Sequence, residues 1–199
     1  MMLDRFYPVV PDADWVERLL ASGAKLIQLR IKDCPEPALR AEIEQARATC
    51  MAAGAQLVIN DHWQVAIDTG CDFVHLGQED LAEADMGALR RAGIRFGIST
   101  HDHAELDRAL IESPDYVALG PIYPTQLKKM PWAPQGLARI AEWKRLVGAR
   151  PLVAIGGLTV ARAELCLAAG ADCVAVVGDI VRHPDPAGQA GAWLAATRL

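Results

Sequence analysis

No stretch of this chain of 199 residues is long and apolar enough to cross a bilayer. The run CVAVV at 173–177 stops after five residues, whereas a membrane helix needs about 20, so no membrane span is expected. The chain also lacks an excess of positive charge: 20 Lys and Arg stand against 25 Asp and Glu, a net charge of −5. Without a diffuse basic field it is not expected to hold a nucleic-acid or anionic membrane backbone, and any anion must be met by a few placed cations. The opening residues MMLDRFYP have no basic segment followed by an apolar one, so they do not read as a signal peptide. Five cysteines, an odd number with no CxxC pair, argue against a disulfide framework or a zinc site, and a reducing cytoplasm is the expected location. The five histidines show no HxxxH spacing, and no GxSxG, GxGxxG or Walker motif occurs.

What is present is a weak internal repeat, in which a helical stretch ends at a small residue plus Gly and a short β-rich run follows. The junctions are SGA at 22–24, AGA at 53–55, TGC at 69–71, AGI at 92–94 and AGA at 169–171. The runs after them, at 26–30, 56–59, 73–76, 95–98 and 173–177, join 7–10, 116–119 and 152–155 to make eight strand candidates. Each is short, largely apolar and bounded by turn residues, as strands buried on both faces are. Helical patterns lie between or after them, for instance at 14–20, 39–53, 104–111, 137–147 and 160–169. Strict alternation implies parallel strands joined by crossovers. Eight such units close most economically into an α/β fold, a single-domain (β/α)8 TIM barrel over 1–199. A barrel this small has no room for an inserted domain, so function is expected in the loops that follow the strands. The longest connection, 120–136, carries four prolines with Lys128 and Lys129.

In such a barrel, polar residues at the carboxyl ends of strands face the site. Gln28, Arg30 and Lys32 share one side if the strand stays extended. Asn60 and Asp61 end the third strand, GQED at 77–80 follows the fourth, and Ser99 ends the fifth. Carboxylates at neighbouring strand ends beside Arg and Lys suggest a polyanion held jointly by cations and Mg2+, which takes one or two carboxylates plus phosphate oxygens. Glycines follow strands seven (Gly156, Gly157) and eight (Gly178), where many barrels bind a phosphate monoester. Structural readings stand beside these. Asp61 is placed to cap the helix starting near His62, Arg30 to pair with a neighbouring acid, the glycine pair to make a tight turn, and His75 to be a core histidine rather than a contact to a substrate ring.

The segments QLRIK at 28–32, IND at 59–61, VHLGQED at 74–80, STH at 99–101, GPIYPT at 120–125, Lys128, AIGG at 154–157 and VAVV at 174–177, in this order, closely resemble the thiamine-phosphate synthase family. The resemblance implies a transferase that joins a hydroxymethylpyrimidine diphosphate to a hydroxyethylthiazole phosphate, or its carboxylated form, and releases pyrophosphate. It implies Mg2+ on Asp61 and Asp80, and the pyrimidine diphosphate at Gln28, Leu29, Arg30, Ile31, Lys32, Asn60, His75, Ser99 and Lys128. Thr125, Gln126, Leu127, Gly157, Val177 and Gly178 are implied for the thiazole phosphate. The catalytic group would be Arg30, Lys32, Lys128 and Ser99, and the partners small molecules alone. A homo-oligomer is compatible with this sequence, which does not set the number of copies.

Two positions depart from the family pattern. Thr-x-Thr-Lys becomes Thr125-Gln-Leu127-Lys128, and Ser-Ala after the eighth strand becomes Gly178-Asp179. Each change removes a hydroxyl on the thiazole side, and Asp179 adds a carboxylate, which is tolerable only if it turns away from the anion. Two other readings remain at this point: a thiazole tautomerase of the same superfamily, and a barrel that binds a thiamine precursor without turnover.

Overall fold

The computed structural model describes residues 3–125 and 132–198. Eight parallel strands close into a barrel in sequence order, β1 (Phe6–Val10), β2 (Leu26–Leu29), β3 (Gln56–Asn60), β4 (Phe73–Leu76), β5 (Arg95–Thr100), β6 (Tyr116–Leu119), β7 (Leu152–Ile155) and β8 (Cys173–Val176), with β8 returning to β1. The (β/α)8 barrel expected from the repeat is therefore observed, and all eight strands fall where they were placed, to within two residues at either end.

Alternation along each strand divides the buried residues in two. Tyr7, Val9, Leu26, Val58, Phe73, Tyr116, Ala118, Val153, Cys173 and Ala175 fill the barrel interior, while Phe6, Val10, Ile27, Leu29, Ile59, Val74 and Leu76 pack outward against the helices. Helices α1 (Ala13–Ala21), α2 (Glu36–Ala53), α6 (His103–Ile111), α7 (Gly136–Val147) and α8 (Val160–Ala168) follow the anticipated patterns. Short helices α3 (Trp63–Asp68) and α5 (Met86–Arg91) end at the TGC and AGI junctions, α3 starting next to His62 as expected, whereas α4 (Gln78–Glu83), α9 (Gly178–Val181) and the longer α10 (Pro186–Thr197) were not anticipated. Asp12, Asp85, Asp102 and Asp185 each accept a backbone N–H at a helix start. Among the described residues no helix is long and apolar enough to cross a membrane, and all five cysteines are free thiols.

The connection 120–136 is closed at its base by two backbone bonds, Gln135 N–H to the Pro121 carbonyl at 2.8 Å and Gly136 N–H to that of Ile122 at 3.0 Å. Trp132 stacks on His101, ring centroids 4.0 Å apart. Gln126, Leu127 and Lys128 lie outside the described residues.

Candidate active site

The rim at the carboxyl ends of the strands divides into two unlike halves. The first half is charged. β2 stops at Leu29, so Arg30 and Lys32 stand on the turn beyond it, where Arg30 N–H still bonds the Val10 carbonyl at 2.8 Å. The Lys32 ammonium bonds the Asp61 carboxylate. Leu29 and Ile31, the odd members of the same run, send their side chains into the layer between sheet and helices. Pleating therefore separates them from Gln28, and their side chains do not join the cluster.

Asp61 does not cap α3, whose N-cap position is His62. It sits at φ 64°, a left-handed conformation costing an L-residue about 1 kcal/mol, with its N–H on the His75 carbonyl at 2.9 Å. The turn leaves its carboxylate to meet both Lys32 and Asp80, with which it shares a hydrogen bond. Gly77 makes room for that meeting, since a Cβ there would lie 2.9 Å from the Asp80 carboxylate. Burial works against ionisation of Asp61, but the Lys32 ammonium, the bond with Asp80 and the nearby His75 outweigh it and hold this carboxyl below the usual range. Asp80 moves the opposite way, raised by burial and then by the negative charge of Asp61. Two carboxyls drawn together until one resists ionisation form a donor set that a divalent cation would relieve, and one with two carboxylates suits Mg2+. Next to them the amide nitrogen Nδ2 of Asn60 is buried without a hydrogen-bond partner among the described residues.

His75 stands beside Asn60, in register on the neighbouring strand β4. Both of its ring nitrogens are engaged within the protein, Nδ1 with the Tyr116 hydroxyl and Nε2 with the Ser99 hydroxyl, each at 2.8 Å. Burial pushes its pKa down to about 4, Asp61 opposing the shift and Arg30 adding to it, so the ring is neutral at pH 7.

The second half of the rim is a cavity of about 310 Å³ lined by Thr125, Gly156, Gly157, Val177, Gly178 and Arg182, among others. The glycine pair has a packing reason of its own. Gly156 and Gly157 have φ 101° and 66°, and a Cβ would fall 2.6 Å from the Pro121 Cα and 2.4 Å from the Pro124 carbonyl oxygen. Only glycines let this turn lie against the 120–125 segment, and Arg162 clamps it by bonding the Gly157 carbonyl at 2.5 Å while lying over the Tyr123 ring. Asp179, beside Gly178, is tied to α10, accepting from Gln189 Nε2 at 2.6 Å and from the Trp193 indole N–H at 2.8 Å. Its charge is thereby engaged on the helix side.

Sequence reasoning passed over Arg182, an exposed residue that lines the cavity. It also passed over Tyr7 and Tyr116. The only signal for either tyrosine was a polar-tipped residue at an inward strand position.

A parallel eightfold barrel with its polar residues gathered at the strands' carboxyl ends, cations and carboxylates on one side and glycine turns on the other, is the architecture of an enzyme for phosphorylated small molecules. Within that class the chain belongs to the thiamine monophosphate synthase family, whose sequence model matches residues 6–180. It is 62% identical over 197 residues to the thiamine-phosphate synthase of Rhizobium etli, covering 99% of this chain and 97% of that one. It is also 47% identical over 182 residues to that of Neisseria meningitidis serogroup A, covering 92% and 89%. The thiamine phosphate pyrophosphorylase of Pyrococcus furiosus shares the fold, with a TM-score of 0.86 at 23% identity over 98% of this chain and 96% of that one. The chain is thus a transferase of the thiamine-phosphate synthase type, acting on small molecules.

Proposed function

We propose that this chain condenses 4-amino-2-methyl-5-(diphosphomethyl)pyrimidine with 4-methyl-5-(2-phosphoethyl)thiazole, or its carboxylated form, to give thiamine phosphate and pyrophosphate. The observation that carries this reading is the division of the rim: charged groups follow β2 to β5, and the glycine-lined cavity follows β6 to β8. Two anionic substrates can then lie side by side with their reacting ends over the barrel axis.

Breaking the pyrimidine methylene C–O bond leaves a ring-stabilised cation and a pyrophosphate anion, so the barrier falls chiefly by stabilising charge on the leaving group. Arg30, Lys32 and Lys128 meet that charge, and Asn60 Nδ2 and the Ser99 hydroxyl donate to it. Asp61 and Asp80 would hold Mg2+, which when bound neutralises part of the diphosphate charge. With its Asp61 partner so engaged, Lys32 would be free to meet the anion. The thiazole nitrogen attacks with its own lone pair and needs no general base, only positioning and exclusion of water. On that side Thr125, backbone N–H groups at Gly157 and Gly178, and the Arg182 guanidinium take the phosphate. Arg182 compensates for the hydroxyls absent at 127 and 178, each charge-assisted bond contributing about 1.5–3 kcal/mol.

The test is selective weakening. Lys32→Ala should impair use of the diphosphate and leave KM for the thiazole phosphate within about twofold, and Arg182→Ala should do the reverse. Equal effects of both variants on both substrates would refute the divided site.

A further inference from the structure

Behind the charged half of the rim a line of four hydrogen bonds runs through the barrel interior. Gln28 Nε2 donates to the Tyr7 hydroxyl at 2.9 Å, the Tyr7 and Tyr116 hydroxyls are 2.9 Å apart, Tyr116 meets His75 Nδ1 at 2.8 Å, and His75 Nε2 meets Ser99 Oγ at 2.8 Å. Tyr7 and Tyr116 are 1% and 0% exposed, so water supplies no alternative partners. The line exists because of one glycine. Gly97 stands in register between His75 on β4 and Tyr116 on β6, and a Cβ there would lie 2.0 Å from the Tyr116 ring. The ring occupies that space and stacks on His75, 11° from parallel with centroids 5.6 Å apart.

The direction of every proton in the line follows from its two ends. A primary amide nitrogen only donates, so Tyr7 accepts from Gln28 and its single proton goes to Tyr116. Tyr116, having accepted, donates to His75 Nδ1. With Nδ1 held as an acceptor, the ring carries its proton on Nε2 and donates it to Ser99. Ser99 Oγ, with its acceptor role filled from behind, has its own proton left to give. We propose that Tyr116, oriented by Tyr7 and Gln28, is a positioning residue that locks His75 in the Nε2–H tautomer and so aims the Ser99 hydroxyl proton at the anion in the charged half of the rim. His75 accordingly acts through Ser99, and the residue that decides its tautomer lies two strands away on β6. This inference rests on the proposed diphosphate site for its consequence, though not for the tautomer itself.

The test has a spectroscopic and a kinetic arm. In protein labelled with 15N at histidine, long-range 15N–1H correlation spectra at pH 7.5 should show His75 with Nε2 protonated and Nδ1 bare. Tyr116→Phe keeps the ring on Gly97 but removes the hydroxyl, and should leave His75 as a mixture of both tautomers. With both substrates present, the same variant should lose about tenfold in kcat and change KM for the diphosphate less than threefold. Placed on a Ser99→Ala background, Tyr116→Phe should cost less than a further twofold, because the hydroxyl it orients is gone. A parent protein with His75 protonated at Nδ1 would overturn the proposal whether or not any variant folds, since the line would then run the other way with Ser99 donating inward. Additive losses in the Ser99→Ala background would overturn it also, reducing Tyr116 to a packing role. A parent protein that makes no thiamine phosphate would overturn the proposed function and the aim of Ser99, and the labelled spectrum would still decide the tautomer.

Discussion

Replacing Gly97 by alanine tests how closely the barrel interior is fitted around the site. The new Cβ would sit 2.0, 2.2 and 2.5 Å from three ring atoms of Tyr116, where ordinary contact begins at 3.4 Å. The ring must withdraw by roughly 1.4 Å, into an interior already filled by Tyr7, Phe73 and Cys173. Overpacking of this kind costs about 1–3 kcal/mol. The same withdrawal stretches the 2.8 Å bond to His75 and the 2.9 Å bond to Tyr7 beyond hydrogen-bonding range, and an unpaired buried acceptor costs about 1–3 kcal/mol more. The expected destabilisation is therefore about 4 kcal/mol, read as a lower urea midpoint at unchanged m-value. The attribution is checked by a cycle with Tyr116→Leu, which removes the ring. Gly97→Ala should cost about 1 kcal/mol or less on that background, a coupling of about 3 kcal/mol. A single variant within 1 kcal/mol of the parent, or a cost undiminished by Tyr116→Leu, would refute the fitted-ring account.

Asp61→Asn or Asp80→Asn should reduce turnover at least a hundredfold and weaken Mg2+ dependence while shifting the urea midpoint little, and a variant that melts early would instead explain its own loss. Lys128→Ala should lower kcat rather than merely raise KM, because a cation meeting charge on the leaving group acts mostly in the transition state; an unchanged kcat would make Lys128 a tether. His75 titrates at about 4 in the fold and near 6.5 in an unfolded chain. The unfolded state thus binds the extra proton first, and stability falls as pH drops from 6.5 to 4, by at most about 3 kcal/mol. Urea midpoints measured across that window should show the slope, and His75→Gln should remove most of it.

The strands were legible because each is a short apolar run between glycine junctions, a pattern that needs no knowledge of distant partners. Rim residues were legible for a related reason: once the repeat sets the strands, their last residues are assigned by counting. Side-chain direction past the strand end was harder, since β2 stops at Leu29 and the turn, not the pleat, places Arg30 and Lys32. The helices missed at 78–83 and 178–181 are six and four residues long, too short for a helical period to stand out from a polar loop. Asp179 next to Gly178 reads as a charge facing the anion, and only its contacts with Gln189 and Trp193, ten and fourteen residues on, turn it toward α10. The Tyr7–Tyr116 pair spans 109 residues, and no local spacing announces a bond of that length. Gly97 looks like any strand glycine until the ring that fills its place is seen.

The most direct test of the central claim is product formation by the purified protein from the pyrimidine diphosphate and the thiazole phosphate together. The account predicts thiamine phosphate and pyrophosphate in equal amounts with Mg2+, almost none in excess chelator, and recovery when Mg2+ is restored. Binding of both substrates with no product at any Mg2+ concentration, or full activity in excess chelator, would contradict it.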